Sequence, residues 1–265
     1  MALAYESGNR GPYDRVMRVR RAAAAALMGA LGLGGCSSGS KTAAGPHAEA
    51  VVYVAVGASE TVGFGADAPA TQAWPEVLRR RALPDGAKFV NLGIPGATVA
   101  TALERQLAEA VRLSPTLVTV WLNVNDLIAR VPLATYESQL TKLVHGLRRS
   151  GATRVLVANT PPLDRLPAYL ACLPNPRPAS GARCPLPAGF VPSPELVRLG
   201  VGAYNKVIAE VAAAEGAEVV DLHAAGLAVR SAGREASLFG ADGFHPSTAG
   251  HEAVAEAFAA VVDRG

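Results

Sequence analysis

A serine hydroxyl attacks an acyl carbon only when a neighbouring base takes its proton, and a histidine base needs a carboxylate to hold its tautomer. The chain offers a serine in "VVYVAVGASETVGFG", where an apolar run stops at Gly57, Ser59 follows at once, and Gly63 and Gly65 come after it. Far downstream, "ADGFHPSTAGH" sets Asp242 three residues before His245 in turn-rich sequence, close enough for the carboxylate to reach the imidazole. Attack on a carbonyl also creates an oxyanion, which needs fixed donors. The candidates are the backbone N–H groups of Ser59 and Gly96 and the side-chain amide of Asn125, from "NLGIPGAT" and "WLNVNDL". Singly, each residue has an ordinary structural use. Ser59 or Asn125-Asp126 can cap a helix, a glycine permits a turn, and Asp242-Gly243 is a common turn pair. Together they are the parts of a Ser-His-Asp site.

The elements that must position them alternate. Apolar, β-rich runs predict strands at Ala50–Val56, Lys88–Leu92, Leu117–Leu122, Arg154–Asn159 and Glu218–Asp221. Between them, apolar residues recur at helical spacing over residues 73–83, 98–113, 134–151, 193–216 and 247–265. Pro75 stands in a first-turn position, and Gly151 and Gly216 read as C-terminal caps. Strand and helix in strict alternation predict an α/β domain with a parallel sheet covered on both faces. In such a sheet ligands gather at the carboxyl ends of the strands, where Ser59, Gly96 and Asn125 all fall. One segment breaks the rhythm. Residues 160–194 are rich in proline and too long for an ordinary connection, which points either to a functional flap or to a surface excursion that covers the sheet edge. Its apolar side chains, Leu166, Tyr169, Leu170, Leu173, Leu186 and Phe190, are candidates to line an acyl or leaving-group pocket.

Half of the 265 residues are hydrophobic, enough for one sizeable core. The net charge of +3 is an N-terminal matter: Arg10, Arg15, Arg18, Arg20 and Arg21 face only Glu6 and Asp14 before residue 36. The remainder is balanced, so no nucleic-acid partner is expected. From Met17, three arginines precede an uncharged stretch, Ala22 to Gly35, that is too short to span a bilayer and reads as an export signal. The ending "LGGC" resembles the lipobox of bacterial lipoproteins. It implies cleavage before Cys36, lipidation of Cys36 and attachment to the cell envelope, with a cleavable signal or an uncleaved anchor as the alternative. Residues 37–49 are small and polar, a tether. The remaining cysteines, Cys172 and Cys184, can then pair in an oxidising compartment. No metal-ligand spacing, phosphate loop or dinucleotide fingerprint is present, so neither metal nor cofactor is expected.

The set of blocks resembles the SGNH (GDSL-type) hydrolase superfamily from about Val51 to the C-terminus. "GASETVGFG" stands at its G-D-S block, "NLGIPGAT" at N-x-x-x-x-G-x-T, "NVND" at G-x-N-D and "DGFHPSTAGH" at D-x-x-H-P-x-x-x-G-H. The resemblance implies a flavodoxin-like three-layer α/β/α sandwich over residues 50–265, with a five-stranded parallel sheet in the order 2-1-3-4-5. It also implies an esterase using Ser59, His245 and Asp242, with Ser59, Gly96 and Asn125 as oxyanion donors. Two positions depart. Ala58 replaces the aspartate before the serine, and Asn123 replaces the glycine of G-x-N-D, where its side chain would narrow the site or point into the sheet edge. His223, two residues after Asp221, is the rival base; His47 lies in the tether, His145 in an amphipathic helix, and His251 is expected to be structural. The reading is an exported, monomeric serine esterase acting on acyl or acetyl esters. An envelope acyltransferase or carbohydrate deacetylase of the same fold, or a non-catalytic binding lipoprotein, is the alternative.

Overall fold

The computed structural model describes residues 51–174, 182–184, 186 and 191–264. The expectations for residues 1–49, including the signal, Cys36 and His47, and for Phe190 lie outside these. Five parallel strands, β1 (Val52–Gly57), β2 (Lys88–Asn91), β3 (Leu117–Trp121), β4 (Arg154–Ala158) and β5 (Glu218–Val220), form one sheet in the order β2-β1-β3-β4-β5. Eleven helices connect and cover it among the described residues: α1 (Ser59–Val62), α2 (Pro69–Gln72), α3 (Trp74–Ala82), α4 (Val99–Arg105), α5 (Leu107–Arg112), α6 (Val124–Ile128), α7 (Leu133–Arg148), α8 (Pro167–Leu170), α9 (Pro194–Glu215), α10 (Leu222–Ser231) and α11 (Thr248–Val262).

The central strands β1, β3 and β4 are mostly apolar because both faces are covered. Successive side chains alternate between two cores. Val54, Val56, Val118, Val120, Val155 and Val157 pack with α4, α7 and α9. Tyr53, Ala55, Leu117, Trp121, Leu156 and Ala158 face Trp74 and Leu78 of α3 and Phe258 of α11, where Trp74 stacks on Phe258 at 4.4 Å between ring centroids. The result is the predicted three-layer α/β/α sandwich with the predicted strand order. Thr119, buried in the middle strand, is satisfied by the Tyr53 hydroxyl at 2.9 Å.

Two helical expectations are corrected. The run over 98–113 is two helices, α4 and α5, because the fully buried Gln106 between them turns its amide to the Gly57 carbonyl at 2.8 Å. Gly151 does not cap α7. That helix ends at Arg148, and a short 3₁₀ turn over Arg149–Gly151 follows. Gly216 does cap α9, in the left-handed conformation at φ 67°. Helix α10, absent from the sequence reading, starts at Asp221, whose carboxylate accepts from the Ala224 N–H at 2.9 Å.

The disulfide between Cys172 and Cys184 is present. It pins the segment after β4, which is also tied to the body by Asp164. That buried carboxylate accepts from Arg198 of α9 at 3.1 Å and Arg230 of α10 at 3.0 Å. Burial pushes the Asp164 carboxyl upward, and its bonds to the two guanidinium groups outweigh that and hold it below the usual range.

Candidate active site

β1 delivers Ser59 to the carboxyl edge of the sheet. The residue that caps α1 is Ala58, without a side-chain cap, and Ser59 is the first helical residue. Its hydroxyl is therefore free of capping duty and meets His245 Nε2 at 2.8 Å. His245 Nδ1 lies 2.5 Å from Asp242 Oδ2, while Asp242 Oδ1 accepts from the backbone N–H groups of Phe244 (2.9 Å) and His245 (3.0 Å). The carboxylate thus orders the loop that carries the imidazole as well as the imidazole itself. Burial raises the Asp242 carboxyl, but the hydrogen bonds from His245 and from the two backbone amides prevail, so it sits below its ordinary value and stays ionised. Phe64 and Phe244 flank the ring of His245, with centroids at 5.3 and 5.0 Å.

The His245 loop sits this close to α1 because Gly65 has no side chain. At φ 89°, a Cβ there would lie 2.2 Å from the Pro246 carbonyl oxygen. On the far side His251, fully buried on α11, receives the Trp74 N–H on Nδ1 at 3.3 Å and donates from Nε2 to the Phe64 carbonyl at 2.9 Å. Burial holds His251 below its ordinary value, against the opposing pull of the Phe64 carbonyl. A neutral imidazole bridges these partners and fixes the last helix against the loop after Ser59.

The oxyanion candidates come from the two neighbouring loops. The chain after β2 is drawn to the end of β1 by the bond from Ile94 N–H to the Gly57 carbonyl, 3.1 Å. Among the described residues the N–H groups of Ser59 and Gly96 have no hydrogen-bond partner within the protein. Asn125 Nδ2 donates one hydrogen to the Ala97 carbonyl at 2.9 Å, which leaves its second hydrogen available. The next residue, the buried Asp126, accepts the Val99 N–H at the start of α4 at 3.1 and 3.2 Å. This pair locks the Gly96 loop to α6. Asp126 pays with a carboxyl that burial pushes up to about 6.

The two departures have distinct outcomes. Asn123 turns toward the sheet edge and donates to the Ala158 carbonyl at the end of β4, 3.2 Å away. At Ala58, the N–H is taken instead by the carboxylate of Glu60, at 3.1 Å. Glu60 keeps some exposed surface, yet its carboxyl lies deep among protein atoms, and burial pushes it up to about 7. Sequence reasoning passed over Glu60; the signal was the missing acid at position 58 with an acid two residues later.

The rival base is elsewhere. His223 Nδ1 faces the Thr160 carbonyl at 3.2 Å, and the His223 N–H is held by Asn159. Asp221 is spent on the Ala224 N–H and on Asn159 at 2.7 Å. His145 pairs with Glu215 on the outside of the molecule.

Two apolar clefts meet at Phe244, next to His245. One, of about 350 Å³, is lined by Glu60, Asn125 and His245 and runs on past Pro162 between α10 and α11. The other, of about 1060 Å³, lies between α6, α9 and the disulfide-pinned segment, with Tyr169, Leu186 and Val191 in its wall. Leu163, Leu166 and Phe244 line both.

Solved structures of similar fold include a lipase/acylhydrolase from Enterococcus faecalis, at 21% identity and a TM-score of 0.58, covering 81% of this chain and 96% of that one. Another is a variant of an acetyl-xylooligosaccharide esterase from Geobacillus Stearmophilus, at 22% identity and a TM-score of 0.56, covering 80% of this chain and 94% of that one. At these identities the likeness is one of fold. No protein of curated function matches the sequence. The sequence model of the GDSL-like lipase/acylhydrolase family does match, over residues 55–253, a span that runs from β1 through the loop of His245 into α11, and the chain belongs to that family.

Proposed function

We propose that the chain is an exported serine esterase that hydrolyses carboxylic esters through an acyl-enzyme. The observation that carries this reading is the continuous line from Ser59 Oγ through His245 to Asp242 Oδ2, at 2.8 and 2.5 Å, with the serine hydroxyl making no other hydrogen bond among the described residues. His245 Nε2 takes the Ser59 proton as Oγ attacks the ester carbonyl. Asp242 keeps the other ring proton on Nδ1 and stabilises the imidazolium that forms. The N–H groups of Ser59 and Gly96 and the free hydrogen of Asn125 Nδ2 receive the oxyanion. One such donor contributes roughly 10²–10³-fold in rate. When the tetrahedral intermediate collapses, His245 returns the proton to the leaving alkoxide, which departs as the alcohol. A water then gives its proton to His245, attacks the acyl-serine, and releases the acid and the free serine hydroxyl.

Export and lipid attachment at Cys36 rest on the arginine-led apolar stretch and "LGGC". Mass spectrometry of the mature N-terminus tests them: a lipid-modified Cys36 is expected, and an unmodified N-terminus beyond Cys36 overturns the anchor. The esterase itself is tested with purified protein on p-nitrophenyl acetate and butyrate. Saturable hydrolysis that Ser59→Ala abolishes is expected; hydrolysis unchanged by that substitution, or none, removes the reading.

A further inference from the structure

We propose that the cleft between α10 and α11 is the acyl-chain site, and that Ala253, Ala257 and Ala260 set the longest unbranched acyl group the enzyme accepts. This rests on the esterase reading above and names its substrate: esters of medium-length, straight-chain, uncharged acids.

The cleft starts at the chemistry, since Glu60, Asn125 and His245 line it, and it leaves along one stripe of α11. Gly250, Ala253, Ala257 and Ala260 all line it, at spacings of three, four and three, which places them on a single helix face. The α10 wall presents Ala225 and Gly226, flanked along the helix by Leu222 and Val229, and Val254 joins the alanines on α11. Small residues on both faces leave a channel where larger ones would have interdigitated. Gly226 is itself held small, because a Cβ there would meet Pro162 Cδ at 2.6 Å.

Ten residues of α-helix separate Gly250 from Ala260, about 15 Å of rise. A carbon–carbon bond is about 1.5 Å and advances less than that along a zigzag, so this length holds a chain of about ten to twelve carbons. The walls between the two ends are mostly apolar; Glu235, which also lines the cleft, is paired with Arg230 at 2.9 Å. At the outer end Glu256 is exposed beside Ala260, a carboxylate that disfavours a second acidic group on the substrate. The wider cleft beyond Leu163, Leu166 and Phe244 suits the alcohol, which has no need to be linear. From Gly250 to Ala260 the narrow cleft runs along a helix, with α10 facing it, so its length there is a fixed ruler.

The test is a chain-length profile of kcat/KM on p-nitrophenyl esters from acetate to palmitate, for wild type and for Ala253→Leu, Ala257→Phe and Ala260→Trp. Wild type should gain about fourfold per added methylene and level off near decanoate or dodecanoate. Each variant should keep activity on acetate and lose the gain beyond its own cutoff. The cutoffs should be ordered as the residues lie: shortest for Ala253→Leu, longest for Ala260→Trp. Activity on acetate serves as the control for folding, and the exposed Ala260 keeps the test alive if an inner variant does not fold. A parallel series of alkyl acetates varies the alcohol alone and should be unaffected by all three. An unchanged acyl profile, or a cutoff that moves in the alcohol series instead, overturns the proposal while the Ser59-dependent esterase stands. Absence of Ser59-dependent hydrolysis of every ester removes both.

Discussion

Ser59 Oγ and His245 Nε2 stand 2.8 Å apart although 186 positions separate them in the chain. The contact joins the end of the first strand to the loop before the last helix. It is kept by Gly65 lying against Pro246 and by His251 bridging Phe64 and Trp74.

That contact predicts which histidine matters. Ser59→Ala and His245→Ala should each lower kcat on p-nitrophenyl butyrate by at least about 10⁴-fold with the fold retained, because members of a triad act as a unit. His223→Ala should leave kcat near wild type, its ring being committed to the Thr160 carbonyl. Steady-state kinetics with circular dichroism checks this. A dead His223→Ala beside an active His245→Ala would reverse the assignment.

Asn125 has one amide hydrogen on Ala97 and one to spare. Asn125→Asp preserves size and removes both hydrogens. It should cost roughly 10²–10³-fold in kcat with little change in KM, the pattern of a donor used in the transition state. A near-normal kcat takes Asn125 out of the oxyanion site.

Glu60 predicts an unusual pH dependence of stability. Burial pushes its carboxyl from 4.5 to about 7, so between those values the folded chain holds a proton that the unfolded chain has released. Its contribution to stability is therefore full below pH 4.5, declines as pH rises to about 7, and stays low above that. Glu60→Gln keeps an acceptor for the Ala58 N–H and removes the titration. In urea unfolding, the stability of the variant relative to wild type should rise from pH 5 to pH 8. A difference independent of pH contradicts the raised carboxyl. Asp242, held below its ordinary value, works with the opposite sign and loses its contribution only on the acid side.

The Cys172–Cys184 bridge spans 12 positions, and closing such a loop in the unfolded chain contributes about 3 kcal/mol. Replacing both cysteines by serine should remove that amount in urea unfolding. Tyr169, Leu186 and Val191 of this segment line the wider cleft, so the same variant should raise KM for esters of bulky alcohols more than for ethyl acetate. Equal effects on all esters would reduce the segment to a cover for the sheet edge.

Much of this was legible in the sequence because it is local. Strands buried on both faces are mostly apolar, so their positions read directly, to within two residues at the described ends. Asp242 and His245 pair within one turn, so three residues suffice to suggest them. What sequence could not decide were the choices made by distant packing. Asp221 and His223 also form a local acid–histidine pair, and only the Asn159 and Thr160 contacts after β4 divert them from Ser59. Helix α4 stops where Gln106 is captured by a strand-end carbonyl, an event without a helical signature. The direction of Asn123 depends on the free carbonyl of Ala158, thirty-five positions away. The cleft beside α11 is likewise invisible along the chain, because alanines at helical spacing read as a packing face until the neighbouring helix also presents small residues. Residue type and local spacing therefore determined the chemistry on offer, whereas tertiary structure decided which groups met, since a hydrogen bond between remote residues depends on how whole layers pack.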